Sequence, residues 1–357
     1  MRKLKLLSIT LLVLTALFLG GLICPTGSGG GGILTGSGGG GLAMSAAAES
    51  PVTESVYLGG MPAGFILSSG EAKVVGVCDV PTAGGLCSPA KDAGIAVGDT
   101  ILRLQEKRIR SAADIDRVLS GYKSGSVELV VKRNNREVTL SVTPAKELTG
   151  RKYKLGVLIR DTVSGIGTVT YIRQDGRFGS LGHAVPGEDG KPAEVLSGEM
   201  YHCSVVGVKK GIRGKAGELK GIFLNDGCIG KAEKNAPSGI YGTMNEKFCK
   251  DGIPLIRTGG IHDACPGNAE IYTTVDGVSP ERYSIDIVKV DALNDENKNY
   301  VIRITDSTLL AKTGGIVQGM SGSPIVQNGK LVGAVTHVFL NDPTRGYGIA
   351  LDNMDLG

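Results

Sequence analysis

The chain has 357 residues, of which 56 are glycine and 14 proline, and only 4% are aromatic. This composition favours many short strands joined by glycine turns over a helical bundle, and the length allows two ordinary domains plus a tail. The net charge of +4 includes three cations at the N-terminus, so the remaining charge is nearly balanced and excludes the basic footprint of a nucleic-acid-binding protein. We therefore expect a mainly β protein.

An apolar run from Leu6 to Ile23 follows the basic N-terminus MRKLK. Its length is near the minimum for a helix that crosses roughly 30 Å of hydrocarbon, and it is long for the core of a cleaved signal peptide. Residues 1–24 are therefore predicted to be a signal sequence or a single-pass anchor that exports the rest of the chain. Cys24 follows Ile23 rather than a small residue, which argues against a lipoprotein cleavage site.

Residues 25–50 are of low complexity and contain TGSGGGG twice. Such a glycine-rich run does not bury enough apolar surface to offset its ordering entropy. We predict a flexible linker that proteases cut easily.

The region 51–146 shows an ordered series of local patterns. AGIAVGD, residues 93–99, predicts a glycine bend after a short helix, and SAADIDRVLSGY predicts an amphipathic helix with Ser111 as its N-cap. VELVVKRNNREVTLSV predicts a hairpin that turns at Asn134 and Asn135.

A glycine loop before an apolar trio, the AGIAVGD bend and the amphipathic helix occur in the order that resembles a PDZ domain, a small α+β fold. The resemblance implies that loop N–H groups receive a peptide carboxylate and that the peptide adds as a strand. The groove implied by the resemblance is formed by Gly64, Phe65, Ile66, Leu67, Ile115 and Leu119. The alternative is a closed groove that serves only packing.

Cysteine spacing leaves the disulfide pairing open. Cys78 and Cys87 flank a long loop that they could clip. The four in the second half allow three pairings among Cys203, Cys228, Cys249 and Cys265. Because the sequence contains neither CxxC nor HExxH, we expect no metal and no cofactor.

The region 147–357 consists of short β-prone runs separated by glycine, which predicts a closed β-barrel or a pair of barrels. Within it GMSGSPI surrounds Ser321 with glycines, the backbone that lets a nucleophile project while neighbouring N–H groups converge on an oxyanion. A serine nucleophile also needs a base and an acceptor that orients the base. His183 in GSLGHAV and Asp306 in IRITDSTLL are the candidates for these two roles.

Each candidate has a structural alternative. A lone histidine such as His183 is often a half-buried structural residue, and Asp306 could instead cap a helix or a turn. His337 is interpreted as a strand residue near the nucleophile, and Ser323 as a weaker nucleophile candidate. The neighbours of His202 and His262 indicate no role, and the fallback acceptors are Asp226, Asp263 and Asp286.

The GMSGSPI loop and the chain order His183, Asp306, Ser321 resemble chymotrypsin-like serine peptidases. SLGHAV, ITDSTLL and IVQGMSGSPIVQNGKLVGAVTHVFLNDPTRGYGIA, downstream of a PDZ-like region and an N-terminal apolar segment, resemble the stage IV sporulation protein B peptidase family. The resemblance implies that Ser321 is the nucleophile, His183 the general base and Asp306 its orienting residue. The N–H groups around Gly319 and Ser321 would form the oxyanion hole.

The family resemblance further implies a protease exported by the forespore into the space between two membranes. Its implied substrates are its own N-terminal region and a membrane-bound inhibitor of an intramembrane protease, whose cleavage starts late mother-cell transcription. A PDZ-bound peptide and the membrane are the other implied partners, and nucleic acid is not. The alternative hypothesis is a membrane-tethered PDZ binding module with a catalytically silent β-barrel.

Overall fold

The computed structural model describes residues 54–187, 191–246 and 248–354. The predicted anchor and the glycine-rich linker lie outside these residues. Within the described ranges, no helix has the length and apolarity needed to span a membrane. The chain is mainly β, which confirms the prediction from composition.

Eight strands and two helices make up the chain from Ser55 to Val142. These elements are β1 (Ser55–Leu58), β2 (Pro62–Val77), β3 (Val80–Thr82), β4 (Gly85–Cys87), α1 (Pro89–Asp92), β5 (Thr100–Leu104), β6 (Lys107–Arg108), α2 (Ala112–Ser120), β7 (Val127–Arg133) and β8 (Arg136–Val142). Helix α2 begins as predicted, because the Asp114 N–H donates to the hydroxyl of Ser111 at 3.2 Å. The predicted hairpin is also confirmed, since Asn134 and Asn135 both adopt positive φ between β7 and β8.

Strands predominate from Ala145 onward. The elements are β9 (Ala145–Lys146), β10 (Tyr153–Lys154), β11 (Val157–Ile172), β12 (Arg177–Ser180), β13 (Ser197–Lys209), β14 (Gly217–Ala236), β15 (Gly239–Met244), β16 (Leu255–Thr258), β17 (Gly267–Thr273), β18 (Glu281–Val290), β19 (Tyr300–Ile304), α3 (Ser307–Thr313), β20 (Val317–Gln318), β21 (Pro324–Gln327), β22 (Lys330–Phe339) and β23 (Asp342–Ala350). Two short 3₁₀ turns, Ile261–Asp263 and Leu351–Asn353, complete the described chain.

The first hydrophobic core, here called the PDZ core, lies beneath α2. The apolar stripe predicted on this helix is buried there through Ile115, Val118 and Leu119. A salt bridge also ties β7 to the turn before β5, because the Arg133 guanidinium donates to both carboxylate oxygens of Asp99 at 2.7 Å.

Strands β2 and β11 connect this core to the next one. Each has 16 residues, and they pair antiparallel from Pro62 opposite Thr168 to Val77 opposite Val157. Gly70 interrupts β2 with a φ of 69°, a left-handed backbone that favours glycine. Residues after this bend pack in the PDZ core, whereas those before it pack with the strands that follow β11, in what we call the peptidase core.

The prediction of a peptide-binding groove along β2 is wrong. The residues Phe65, Ile66 and Leu67 pair with β11 on one side and with β13 on the other, so this part of β2 has no free edge for a peptide. A Cβ on Gly64 would lie 2.3 Å from the ring of Phe223, so close packing, rather than a carboxylate-binding loop, explains that glycine.

The helical side of the predicted groove is also packed. Ile115 and Leu119 are 5% and 2% exposed and belong to the PDZ core. The boundary drawn at 51–146 likewise differs from the structure, since Val56, Phe65 and other residues before the bend at Gly70 pack with residues beyond 147. The local pattern identified a PDZ fold but assigned it a strand that belongs to the peptidase core.

The cysteines are free thiols in the described part of the chain. Cys78 and Cys87 flank the β3–β4 hairpin without bonding, which corrects the predicted clip. Cys203 is buried, and burial raises the pKa of its thiol to about 11, so this thiol stays protonated at neutral pH.

Candidate active site

The loop between β20 and β21 carries Ser321 on a backbone that glycine permits. Gly319 and Gly322 adopt φ values of 99° and 94°, both in the left-handed region. A Cβ on Gly322 would also lie only 2.1 Å from the carbonyl oxygen of Thr168. At Gly322, both the backbone conformation and the lack of space for a side chain therefore require glycine, as the sequence pattern predicted.

Strand β11 holds this loop by three hydrogen bonds. The Thr168 N–H donates to the Ser321 carbonyl at 3.0 Å, and the Thr168 hydroxyl donates to the Gly319 carbonyl at 2.8 Å. The hydroxyl of Thr170 donates to the Gly322 carbonyl, also at 2.8 Å. Because both threonines are buried, the loop is fixed from the interior of the fold.

The N–H groups of the loop fall into two sets. Those of Met320, Gly322 and Ser323 donate to backbone carbonyls at 2.8 to 3.1 Å. Those of Gly319 and Ser321 have no acceptor among the described residues. Two N–H groups on either side of one residue are therefore available to bind a developing oxyanion, which is the role the sequence analysis gave them.

His183 follows β12 on a reversed backbone. Leu181 and Gly182 adopt φ values of 69° and 67°, and a left-handed leucine is an uncommon, strained conformation that often marks a functional turn. A Cβ on Gly182 would lie 2.8 Å from the Thr336 side chain, and one on Gly322 would lie 2.5 Å from the Leu181 nitrogen. The turn that carries His183 thus contacts both β22 and the nucleophile loop.

The hydroxyl of Ser321 donates to the Thr336 carbonyl at 2.8 Å. No hydrogen bond joins this hydroxyl to His183 in the described part of the structure. General-base catalysis therefore requires the side chain to rotate from the carbonyl to the imidazole, and such catalytic hydrogen bonds commonly tighten only when substrate is bound.

The imidazole of His183 has a backbone partner. Its Nδ1 lies 2.9 Å from the carbonyl oxygen of Ala184, so a proton on Nδ1 leaves the lone pair of Nε2 free to act as a base. Burial lowers the pKa of His183, and the Ala184 carbonyl only partly opposes this effect. The histidine is therefore neutral at pH 7, as a general base must be.

A second histidine lies beside the first. The ring of His337 on β22 is 5.0 Å from the ring of His183, centroid to centroid. Part of the His337 residue is exposed to solvent, but desolvation by its neighbours lowers the pKa of its imidazole to about 4, and the charges of His183 and Lys298 contribute further. His337 was interpreted as a strand residue near the nucleophile, and it lies there as a neutral neighbour.

Asp306 occupies a different environment. It is the N-cap of α3, and its carboxylate accepts a hydrogen bond from the Leu309 N–H at 2.9 Å. Its own N–H donates to the Ser284 carbonyl at 3.1 Å. Among the described residues it makes no hydrogen bond with His183, and its geometry matches the capping role that the sequence analysis gave as the alternative.

Two of the three fallback acceptors form ion pairs elsewhere in the described part of the chain. Asp263 pairs with Lys330 and Asp286 pairs with Arg303, each at 2.6 Å. The side chain of Asp226 lies outside the described residues.

The remaining candidates have structural surroundings. The hydroxyl of Ser323 is buried and donates to the Met320 carbonyl at 2.6 Å, which makes it unavailable as a nucleophile. The ring of His202 stacks near Phe248, and His262 lies on an exposed 3₁₀ turn. Within the described ranges no group of three acidic, histidine or cysteine side chains could hold a metal ion.

Several residues that form the site carried no recognisable sequence signal. Thr168 lies 151 positions before Gly319 in the sequence. Asn235, whose side-chain amide binds the backbone of Val185 just after His183, lies 50 positions after Val185. Threonine and asparagine in strands are common, so only the tertiary pairing identifies them.

A serine on a glycine-supported loop, two unpaired N–H groups and a neutral histidine, in a chain that also has a PDZ-type core, define the class of PDZ-containing serine peptidases. The chain belongs to the SpoIVB peptidase S55 family, whose model matches residues 151–355. A PDZ domain model matches residues 71–143. The resemblance found in the sequence is thus confirmed at the level of the family.

Curated relatives match shorter stretches. A putative zinc metalloprotease of Brucella suis is 30% identical over 102 residues, 28% of this chain and 27% of its own length. The serine protease HTRA1 of Xenopus laevis is 32% identical over 57 residues, 16% of this chain and 12% of that protein. The chain therefore spans about a quarter or less of the curated relatives it matches.

Among solved structures, the active form of the Rv3671c protease from M. tuberculosis aligns with 14% identity and a TM-score of 0.33. The alignment covers 53% of this chain and 70% of that protein.

Proposed function

We propose that this chain is an endopeptidase of the chymotrypsin-like type, with Ser321 as nucleophile and His183 as general base. Ser321 attacks a peptide carbonyl while the N–H groups of Gly319 and Ser321 stabilise the oxyanion. His183 takes the hydroxyl proton and returns it to the leaving amine, and water then hydrolyses the acyl-enzyme. The observation that carries the proposal is the pair of unpaired N–H groups on a loop packed against the histidine turn.

The proposed substrates are the chain's own N-terminal region and a membrane-bound inhibitor of an intramembrane protease. Membership of the SpoIVB family supports a sporulation role, in which this cleavage starts late mother-cell transcription. The apolar run before Cys24 supports export and anchoring in the space between the forespore membranes. The glycine-rich stretch 25–50 supplies an accessible place for self-cleavage and release.

The PDZ unit is proposed to bind a peptide on β11 instead of β2. Residues Val157 to Arg160 pair with β2 on one edge, and α2 runs near the other, where the Ala112 N–H donates to the Asp161 carboxylate at 2.9 Å. Leu158 on this stretch is 54% exposed. A strand edge beside a helix is the setting in which an extended peptide can add by backbone hydrogen bonds.

Self-cleavage of the membrane-inserted full chain tests the proposal. The unchanged chain is expected to lose a fragment that ends within 25–50, and Ser321→Ala is expected to stay intact. Ser323→Ala is the matched control and keeps self-cleavage, because that hydroxyl faces the interior. Continued cleavage of Ser321→Ala in a preparation free of other proteases would exclude the enzyme and favour the tethered binding module.

A further inference from the structure

We propose that the turn between β13 and β14 docks on the anionic surface of a lipid bilayer and thereby brings the nucleophile loop next to membrane-bound substrates. The turn is KKGIRGKA, residues 209–216, and is here called the basic turn. The docking stands on the structure of the turn alone. Its consequence for substrate choice rests on the peptidase function proposed above.

The basic turn concentrates positive charge that nothing described in the structure neutralises. Within seven residues it carries four exposed cations, namely Lys209, Lys210, Arg213 and Lys215. None of the four forms an ion pair with a residue that the structure describes. Cations elsewhere do pair, as Arg133 does with Asp99 and Lys330 with Asp263. An unpaired cluster of this kind attracts an anionic surface.

Two carboxylates lie near the basic turn in the strand register, and neither forms an ion pair with it. Glu218 is opposite Lys209 where β13 pairs with β14. Asp342 follows Leu340 by two residues, and its carboxylate accepts from the N–H and the hydroxyl of its own Thr344 at 3.2 and 2.6 Å. The surface therefore keeps an excess of positive charge.

Two exposed apolar side chains lie at the same surface. Ile212, in the basic turn, is 61% exposed, and Leu340, in the turn between β22 and β23, is 55% exposed. The two turns touch, because the Gly214 N–H donates to the Leu340 carbonyl at 2.7 Å. Apolar side chains flanked by lysine and arginine are suited to the interface of an anionic bilayer. The predicted anchor at residues 1–24 would tie the chain to such a bilayer, which favours lipid over a soluble acidic partner.

Hydrogen bonds hold the basic turn in one conformation. Ile212 and Lys215 exchange both of their backbone hydrogen bonds, at 3.0 and 2.9 Å, and Gly214 between them has a φ of 82°. The Gly211 N–H donates to the Thr313 carbonyl at 2.8 Å. Because the surface is formed in advance, docking costs little conformational entropy.

The basic turn leads directly into the strand beside the nucleophile loop. Gly217 and Glu218, at the start of β14, pair in parallel with Val317 and Gln318 of β20. The loop that carries Ser321 begins at the residue after β20. A bilayer bound at the basic turn therefore lies close to the segment that leads to the nucleophile, where a membrane-bound protein is within reach.

A single tryptophan tests the docking, because the chain contains none. Ile212→Trp is made in the full chain with Ser321→Ala, so that self-cleavage does not release it, and is reconstituted in liposomes with the folded part outside. In equal parts of phosphatidylcholine and phosphatidylglycerol, we expect the emission to move to shorter wavelength and to be quenched by brominated acyl chains. In phosphatidylcholine alone we expect neither change. About 1 M salt, where the Debye length is about 3 Å, is expected to remove most of the quenching.

Two further positions control this measurement. Leu340→Trp reports on the same surface and is expected to behave like Ile212→Trp, which keeps the test valid if one substitution disturbs its turn. Leu293→Trp is the matched control, since it is exposed in the β18–β19 loop, which lies beyond the opposite end of β19 and β23. It is expected to show no shift. A lack of shift in both reporters, an equal shift in neutral liposomes or an equal shift in Leu293→Trp would overturn the proposal.

Charge removal tests the consequence for cleavage in the active chain. Lys210→Gln with Arg213→Gln removes the cations that flank Ile212, and Lys107→Gln with Arg108→Gln removes the same charge from exposed positions on β6. The first pair is expected to slow cleavage of a membrane-anchored peptide in the anionic liposomes at least about tenfold, and to keep kcat/KM on a soluble peptide. The second pair is expected to keep both.

Equal rates of the two double variants on the anchored peptide would overturn the proposal. An unchanged chain that fails to cleave even the soluble peptide would instead exclude the proposed function. The tryptophan measurement uses an inactive chain and does not depend on that outcome, so the two failures are distinguishable.

Discussion

The hydroxyl of Ser321 donates to the Thr336 carbonyl in the structure, whereas the proposed mechanism needs it to donate to His183. The two acceptors belong to segments that touch each other, because Gly182 packs against the Thr336 side chain. The proposed mechanism therefore requires the Ser321 side chain to leave the Thr336 carbonyl before it can donate to the imidazole. The oxyanion donors need no such change, since their N–H groups are already unpaired.

At the residue scale, the pH dependence follows from the pKa of His183. Burial lowers this pKa from its ordinary 6.5, and the base is active only when neutral. Activity is thus present above the lowered pKa and is lost as pH falls through it. We expect the acid limb of kcat/KM, measured on a peptide substrate between about pH 4 and 8, to have a midpoint below 6.5. A midpoint at or above 6.5 would contradict a desolvated histidine that is neutral at pH 7.

Gly322→Ala is expected to abolish most of the activity and to destabilise the fold. Its φ of 94° costs an L-residue about 1–2 kcal/mol, and the added Cβ would lie 2.1 Å from the Thr168 carbonyl. Gly329→Ala is the control, because its φ of 73° carries similar strain while nothing lies within 4 Å of the added atom. Thermal unfolding and kcat/KM measure both variants, and equal effects would show that the contact with Thr168 does not matter.

At the scale of elements, the predictable features were those set by local chemistry. The cap and the stripe of α2, the Asn134–Asn135 turn and the nucleophile loop all follow from neighbouring residues. The strand Phe65–Leu67 was assigned to the wrong core because its second partner, β13, lies more than 100 positions away in the sequence. Asp306 was assigned to the histidine from its place after an alternating run, from chain order and from the family resemblance, and in the structure its carboxylate accepts from Leu309, three residues along.

The turn before β5 depends on the pairing of Asp99 with Arg133. Burial alone would raise the pKa of Asp99, but the Arg133 guanidinium and the Ala96 N–H lower it below its ordinary value. The stabilisation from this pairing is fully present above the pKa of Asp99 in the unfolded chain, near 3.8. It is lost as pH falls through the lower pKa of Asp99 in the folded chain. Asp99→Asn is expected to lower the free energy of unfolding at pH 7 by about 1.5–3 kcal/mol, because the half-buried Arg133 loses the charged hydrogen-bond acceptor that the buried Asp99 supplies.

Urea unfolding at pH 7 measures this cost. Glu137→Gln is the matched control, since it removes an exposed pair with Arg103 at 2.9 Å and is expected to change stability by less than about 0.5 kcal/mol. Similar losses of stability in the two variants would show that the Asp99–Arg133 pair contributes no more than an exposed ion pair.

At the scale of the whole molecule, the PDZ core and the peptidase core share two strands. β2 and β11 run through both, and β11 also supplies the threonines that hold the nucleophile loop. The boundary near 146 that composition and pattern indicated is therefore not a place where the fold divides. The sequence revealed both units but not that each contributes strands to the other.

Chains that begin at different residues test this sharing. A chain that begins at Pro51 is expected to fold cooperatively, whereas one that begins at 147 is expected to remain largely unfolded. The shorter chain lacks β2, which lies between β11 and β13, and lacks Phe65 and Leu67, which are buried in the peptidase core. Circular dichroism with a denaturant titration measures the difference. A stable, cooperative fold in the shorter chain would contradict the shared architecture.

Covalent labelling by a fluorophosphonate probe, mapped by mass spectrometry on the chain that begins at Pro51, tests most directly whether one hydroxyl has been made reactive. We predict a single labelled residue, Ser321, with labelling slowed at least about a hundredfold in His183→Gln, because the phosphonyl oxygen uses the same N–H pair and the attack uses the same base. Labelling at another serine, or labelling of Ser321 at an unchanged rate without the histidine, would contradict the account.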